Sequence, residues 1–351
     1  MSNDLLHIIG TRPQIIKVAG LVNSQNYNQV IIDTNQHFDK DMQLDIYNNL
    51  NIDTNRVEFL DFDKAYSNNI TIMADLICKK IEVLEIKPRK ILIYGDTNST
   101  IAGLIAGKIN NSKIIHVESG LRTYKPFRIE ESNRVIADTL SDYRLTPTKS
   151  SLNNLKKEGL DKNSIFVGDI MLDVFLNNKE EIFKKTPKYE TYYFSTIHRF
   201  ENLIKENFLD ELFISLNKLR NVILPVHPGL KLQIQKKKIN LDKFKNISFI
   251  EPLSYIENLN HVYNSIGVLT DSGGLTKESF WLKKPCISLM EENAWEETIK
   301  HGYNILNPDP KENFQLLFDN FKLNPDIDPY IDFGNGNAAK NIFNFLDSLD
   351  E

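Results

Sequence analysis

The sequence predicts an α/β protein of two Rossmann-like, doubly wound domains. Short runs rich in Ile and Val recur along it, segments with helical spacing separate them, and 351 residues exceed the roughly 100–200 of a usual single domain. Runs that are apolar throughout, rather than alternating, belong to parallel strands covered on both faces. Their alternation with helices makes repeated βαβ units.

In the first half the strands are "LLHIIG", "QVIIDT", "KILIYGD", "KIIHVES", "YRLTPT" and "SIFVGD", with helices over 97–110, 130–141 and 148–158 among the intervening segments. The rhythm loosens between residues 168 and 191, where "NNKEEIFKKTPKYE" is polar and broken by Pro187. The second half resumes with "TYYFSTIH", "NVILPVHP", "ISFIEP", "IGVLTDSG", "PCISLM" and "YNILNP". The expected division is therefore 1–167 for a first domain carrying the acid/base candidates, 168–332 for a second, and 333–351 for a terminal helix. The last contains "AAKNIFNFLDSLDE", whose apolar residues at helical spacing suit packing back on the first domain.

Composition excludes several classes. An apolar content of 41% leaves material for two cores and argues against disorder. The net charge of −5 argues against a general nucleic-acid binder, which carries a basic face. Cys78 and Cys286 lie far apart on apolar segments, so neither a disulfide framework nor a thiolate metal site is expected, and the chain reads as cytoplasmic. "MSNDLLHIIG" lacks the regions of a secretory leader, and no run approaches the ~18 apolar residues of a spanning helix, so no membrane partner is expected.

In open α/β sheets the ligand sits beyond the carboxyl ends of the strands. Residues there include Gly10-Thr11-Arg12-Pro13, Gly95-Asp96-Thr97, Glu118-Ser119-Gly120, His198-Arg199, His227-Pro228-Gly229 and Asp271-Ser272-Gly273-Gly274. Asp96, Glu118 and Glu130 or Glu131 are candidate acid and base groups. Asp96 and Glu118 end successive strands. Closely spaced, partly desolvated carboxyls would raise one another's proton affinity, as removal of a proton from carbon at neutral pH requires. Equally, Asp96 suits a helix N-cap, and Glu130 and Glu131 suit a first helical turn.

In "GTRPQIIK", Pro13 fits a first helical turn, and Arg12 and Lys17 could address phosphate oxygens; alternatively Thr11 caps a helix whose basic residues are solvated. "DSGGLTKE" opens a helix after a strand. The small Ser272, Gly273 and Gly274 would let N–H groups approach an oxyanion at the positive helix end, and Glu278 could accept from ribose hydroxyls. A tight turn capped by Asp271 or Ser272 is the plainer alternative. His198 in "TIHRFEN" and His227 in "PVHPG" fit phosphate or sugar hydrogen bonding better than metal binding, since they stand on separate elements without ligand spacing. A structural role fits His227 equally well. No metal or cofactor is expected. His116, inside an apolar strand, reads as a satisfied core residue, and His7, His261 and His301 carry no expectation.

Taken in order, "GTRPQIIK", "TNQH", "YGDTNST", "HVESGLRTYKPF", "EESNR", "FVGDIMLD", "TIHRFEN", "PVHPG" and "LTDSGGLTKES" resemble, from about residue 8 to residue 305, the non-hydrolysing UDP-N-acetylglucosamine 2-epimerase family. The resemblance implies a glycosyltransferase-B type fold, a UDP-sugar substrate in the cleft between the halves, no metal or nicotinamide, and a homodimer. It implies loss of the C2 proton and of UDP to leave a glycal, reprotonation on the other face, and re-addition of UDP. By motif, Asp96, Glu118 and Glu130 match acid/base carboxylates, and His198, counted among the catalytic residues, matches a group near the diphosphate or sugar. Arg12, Lys17 and Arg134 match groups near the diphosphate or sugar, Ser272, Gly273, Gly274 and Glu278 match the UDP-binding turn and ribose contact, and His227 is counted with them.

The chain departs from the family pattern at several positions. Gln14 stands for a glutamate, Asn35 for a glycine, and Ile129 for the proline before the paired acids. "LMEENAWEET", residues 289–298, puts Met290 where arginine is usual, and its tryptophan-glutamate pattern resembles the branch acting on UDP-2,3-diacetamido-2,3-dideoxyglucuronate. A uronate would favour an added cation, which Lys125 or Arg128 could supply. Gln36 and Arg199 match residues that support substrate activation in some members, whereas Asp39 stands for a glutamine, so allosteric control is not expected. The competing readings are a glycosyltransferase of the same fold, a non-catalytic UDP-sugar binder, and a hydrolysing relative that releases UDP.

Overall fold

The computed structural model describes residues 4–22, 27–36, 40–61, 68–185 and 191–349. The chain divides into two compact units, Met1–Asn177 with Tyr330–Glu351, and Asn178–Pro329.

Unit 1 is built on seven strands: β1 (Asp4–Ile9), β2 (Asn28–Asp33), β3 (Val57–Phe59), β4 (Lys90–Tyr94), β5 (Lys113–Val117), β6 (Tyr143–Thr146) and β7 (Ser164–Phe166). Their order is β3-β2-β1-β4-β5-β6-β7, and every pair is parallel. On β1, Ile8 faces Ile32 of β2 and Ile93 of β4, and all three are buried. Helices cover the sheet; Met73 and Ile77 of the helix Ile70–Val83, and Ala102 and Leu104 of the helix Asn98–Ile109, close one core over Leu6, Ile8, Ile91 and Ile93. The uniformly apolar strands follow from this double covering. The sequence pattern does not announce β3, a three-residue edge strand of mixed polarity held by β2.

The division falls after Asn177 rather than after residue 167, because the helix Ile170–Asn177 packs on the helix Arg12–Val22. The returning segment joins it. Asp169 N–H donates to the Phe333 carbonyl at 2.8 Å, and the Asp173 carboxylate accepts from the N–H groups of Ala338 and Ala339 at 3.0 and 2.8 Å. Asp173 thereby caps the helix Ala338–Ser348, whose own N-cap, Asn337, makes no such bond. Pro187, expected to break the chain, lies outside the described residues.

Unit 2 has six parallel strands, β8 (Tyr193–Thr196), β9 (Val222–Pro225), β10 (Ile247–Ile250), β11 (Gly267–Thr270), β12 (Cys286–Ser288) and β13 (Asn304–Leu306), in the order β10-β9-β8-β11-β12-β13. Leu209, Leu212, Phe213 and Leu216 of one helix pack over Leu224, Leu269 and Ile287. In each sheet the first strand lies beside the fourth, β1 beside β4 and β8 beside β11, with later strands running outward on either side. That point is where a doubly wound sheet opens a crevice for a ligand. No described helix is long and apolar enough to cross a membrane.

Candidate active site

The switch point of unit 1 gathers charged residues from three loops. β1 runs into Gly10, where an added Cβ would collide with Thr34 Oγ1 and Ser99 Oγ. The helix Arg12–Val22 follows, and its buried Gln14 ties the loop to its neighbour. Gln14 Oε1 accepts from Gly10 N–H at 2.9 Å, while its amide nitrogen donates to the Tyr94 carbonyl at 2.7 Å and to Thr97 Oγ1 at 2.9 Å. Sequence reasoning noted Gln14 only as a departure. Its signal was one uncharged polar residue on the apolar face of "RPQIIKVAGLV".

Across the switch, Thr97 and Thr100 form a capping box for the helix Asn98–Ile109. Asp96 is therefore not the cap, and its carboxylate accepts from Arg134 Nη2 instead. β5 ends in Glu118 at φ +68°, a left-handed conformation uncommon for such a side chain. Lys17 Nζ lies 2.5 Å from Glu118 Oε1, with side-chain exposures of 6% and 12%. Gly95, at φ +60°, leaves room for this pair: a Cβ there would stand 3.1 Å from Glu118 Oε1 and 3.3 Å from Lys17 Nζ. Arg12 is half-buried at the same edge.

These contacts bear on two expectations. Asp96 and Glu118 each carry a cation, so neither is set up simply as half of a mutually repelling carboxyl pair. Lys17, expected at the diphosphate, lies against Glu118. The two adjacent acids also separate by role. Glu131 is buried and accepts from Thr123 N–H at 2.9 Å, Tyr124 N–H at 2.8 Å and Arg134 Nη1 at 3.0 Å. Burial would push its carboxyl up, but these donors outweigh it and hold the group below the usual range. Glu130 is exposed in the first turn of the helix Ile129–Leu140. Burial likewise opposes the charge of Arg134, yet Asp96, Glu131 and Glu118 together hold its pKa above the ordinary value. The loop before this helix carries exposed Lys125 and half-buried Arg128, whose N–H donates to the Lys125 carbonyl at 2.9 Å.

At the switch of unit 2, β8 leads to His198, β9 to His227, and β11 to Asp271-Ser272-Gly273-Gly274. Ser272 is the N-cap of the helix Gly273–Trp281, accepting from Leu275 N–H at 3.3 Å. Asp271 turns the other way. It is fully buried and accepts from His198 N–H, Arg199 N–H and Asn202 Nδ2 at 3.0, 3.0 and 3.1 Å, with His198 Nδ1 at 3.2 Å. His227 caps the helix Pro228–Lys236 through Nδ1, and its ring centroid lies 6.2 Å from that of His198. Glu278 is buried in the second turn beyond the Gly273-Gly274 start. Met290, at the end of β12, is buried. Among the described residues no group of three or more His, Cys, Asp and Glu side chains could hold a metal ion. Gln36 is engaged with Ser99, accepting from its N–H and hydroxyl at 3.2 and 2.7 Å. Asp39 lies outside the described residues.

Two doubly wound units, each with small and charged residues gathered at its switch point, define a chain of the glycosyltransferase-B type. The chain matches the UDP-N-acetylglucosamine 2-epimerase family over residues 20–347 and belongs to it. It is 36% identical, over 98% of its length and 99% of the relative's, to a UDP-N-acetylglucosamine 2-epimerase homolog of Methanococcus maripaludis. It is 32% identical, over 86% of its length and 87% of the relative's, to the UDP-2,3-diacetamido-2,3-dideoxy-D-glucuronate 2-epimerase of Pseudomonas aeruginosa. Among solved structures, the Methanocaldococcus jannaschii UDP-GlcNAc 2-epimerase in complex with UDP-GlcNAc and UDP superposes with a TM-score of 0.88 at 30% identity, covering 98% of this chain and 99% of the other.

Proposed function

We propose that this chain epimerises C2 of a UDP-2-acetamido sugar without net hydrolysis. Unit 1 supplies the proton-transfer groups Asp96, Glu118 and Glu130. Unit 2 supplies His198, His227 and the Ser272-Gly273-Gly274 helix start for the diphosphate, with Glu278 toward the ribose. A carboxylate takes the C2 proton as the C1–oxygen bond to UDP breaks, leaving a glycal and UDP. A second group returns a proton to the opposite face of C2, and UDP adds back at C1. Two proton carriers and nearby cations are what this sequence needs, and the observation that carries the reading is their pairing: Asp96 with Arg134 and Glu118 with Lys17 at adjacent strand ends. Lys17 and Arg134, drawn to the carboxylates, also stabilise charge developing on the departing diphosphate.

The test is proton NMR in D2O with UDP-N-acetylglucosamine and, separately, the 2,3-diacetamido uronate nucleotide. Deuterium at C2 with UDP still attached is the expected outcome. Asp96→Asn and Glu118→Gln are expected to keep UDP binding and to lose exchange by about 100-fold or more; unchanged turnover in both would sink the assignment. UDP accumulating with time would favour hydrolysis, and a required acceptor would favour a glycosyltransferase. A uronate would meet the cations Lys125 and Arg128, and since relatives at 32% identity include both a uronate enzyme and a UDP-N-acetylglucosamine enzyme, the two arms of this experiment decide the sugar.

The same reading makes the chain a cytoplasmic homodimer. Cys78 and Cys286 are free thiols, as a reducing compartment allows. Ile105 and Ile109 on one helix, and Val135, Ile136 and Leu140 on its neighbour, leave apolar side chains in solvent. A second copy would cover them. Sedimentation should give twice the chain mass, and Ile109→Asp with Leu140→Asp should shift it to the monomer.

A further inference from the structure

His116 is fully buried on β5, and both of its ring nitrogens face acceptors. Nδ1 lies 2.7 Å from Asp138 Oδ1, and Nε2 lies 2.8 Å from the Gly95 carbonyl oxygen. Neither an ionised carboxylate nor a carbonyl can donate, so only a ring with hydrogen on both nitrogens would satisfy both partners. Asp138, also fully buried, accepts in addition from Gly120 N–H at 3.1 Å and from Arg122 Nη1 at 2.7 Å. Arg122 grips Glu158 with two parallel bonds of 2.8 and 2.6 Å. The buried His116 ring and the buried Arg122 guanidinium thus face two carboxylates, Asp138 and Glu158. Arg144 is the further charge nearby, donating to the Asp138 backbone carbonyl at 3.0 Å. Burial would push the Asp138 carboxyl up, but His116 and Arg122 outweigh it and keep the group below the usual range, hence ionised.

The placement of this chain of bonds matters more than its strength. Gly95 directly precedes Asp96 on the loop after β4, and Gly120 follows Glu118 by two residues on the loop after β5. Asp138 rides on the helix Ile129–Leu140, which also carries Glu130 and Arg134. We propose that His116 is a positioning residue for the C2 proton transfer, a buried imidazolium that fixes the Gly95 peptide and, through Asp138, locks the three elements bearing Asp96, Glu118 and Glu130 into one geometry. A residue serving only to fill the core could be apolar. Such a residue would leave the Gly95 carbonyl and the Asp138 carboxylate short of the donors that hold them.

The inference rests on the proposed reaction for what is positioned, and two independent readouts separate it from that reading. In the full chain labelled with nitrogen-15 histidine, both His116 ring nitrogens should give proton-bearing signals at neutral pH. In His116→Gln, whose amide can serve one acceptor but not both, the turnover of C2 deuterium exchange on UDP-N-acetylglucosamine should fall about 100-fold, with KM and UDP affinity near wild type. A folded variant that keeps wild-type turnover overturns the proposal, and so does a bare ring nitrogen in the wild type. Should His116→Gln fail to fold, the ring signal of the wild type and the turnover of Asp138→Asn decide in the same way. Absence of exchange in the wild type counts against the reaction, whereas the ring signal counts only for or against the imidazolium.

Discussion

At the residue scale, a second buried histidine shows how the same side chain serves a different end. His7 on β1 accepts the Tyr94 hydroxyl at Nδ1, 2.6 Å away, and donates from Nε2 to Gln29 Oε1 at 2.9 Å. A neutral ring satisfies both partners. Burial lowers its pKa from 6.5 to about 4, with the Gln29 bond opposing. Because the folded value lies below the unfolded one, the unfolded chain binds the proton first as pH falls. The stability His7 contributes is whole above about pH 6.5 and disappears progressively toward pH 4, up to roughly 3 kcal/mol. Denaturant titrations at pH 7 and pH 4.5 should show a larger loss in wild type than in His7→Gln; equal losses would rule this account out. The candidate residues could be picked out in sequence because strand-end position and charge point the same way. Their partners could not. That Glu131 is used up by Thr123, Tyr124 and Arg134 while Glu130 is left exposed depends on helix phase and loop path. Likewise an apolar flank around His116 conceals the acceptors that reach it from β4 and the helix behind.

At the scale of elements, uniform Ile and Val runs marked the strands because both sheet faces are covered, and Ser272 marked one helix start, whereas Asp96, another candidate cap, gives way to Thr97. β3 escaped because three residues cannot display a periodicity and its stability comes from β2 rather than from its own composition. The N-terminus of the helix Ala338–Ser348 escaped for a related reason, since its cap, Asp173, lies far away in sequence. Asp173→Ala should destabilise unit 1 by about 1–2 kcal/mol, a cost typical of a lost N-cap. Thermal melts of the variant, with Asp173→Asn as the partial replacement, check this; a melt equal to wild type would mean that the two bonds are not needed.

For the whole molecule, two doubly wound units could be foreseen from the rhythm of strands, but the point of division could not. The apolar pattern fails only from Asn177 onward, beyond a helix that is mostly buried, and packing on Arg12–Val22 assigns that helix to the first unit. Unit 1 is therefore interrupted, with Tyr330–Glu351 returning to it after the whole of unit 2. On the ribosome this reverses the expected order of completion. The amino-terminal sheet emerges first yet must wait, on the order of ten seconds at ordinary elongation rates, while unit 2 is synthesised and can close on its own. Until the helix Ala338–Ser348 arrives, the flank of the helix Ile170–Asn177 that it will cover stays open to water and to chaperones.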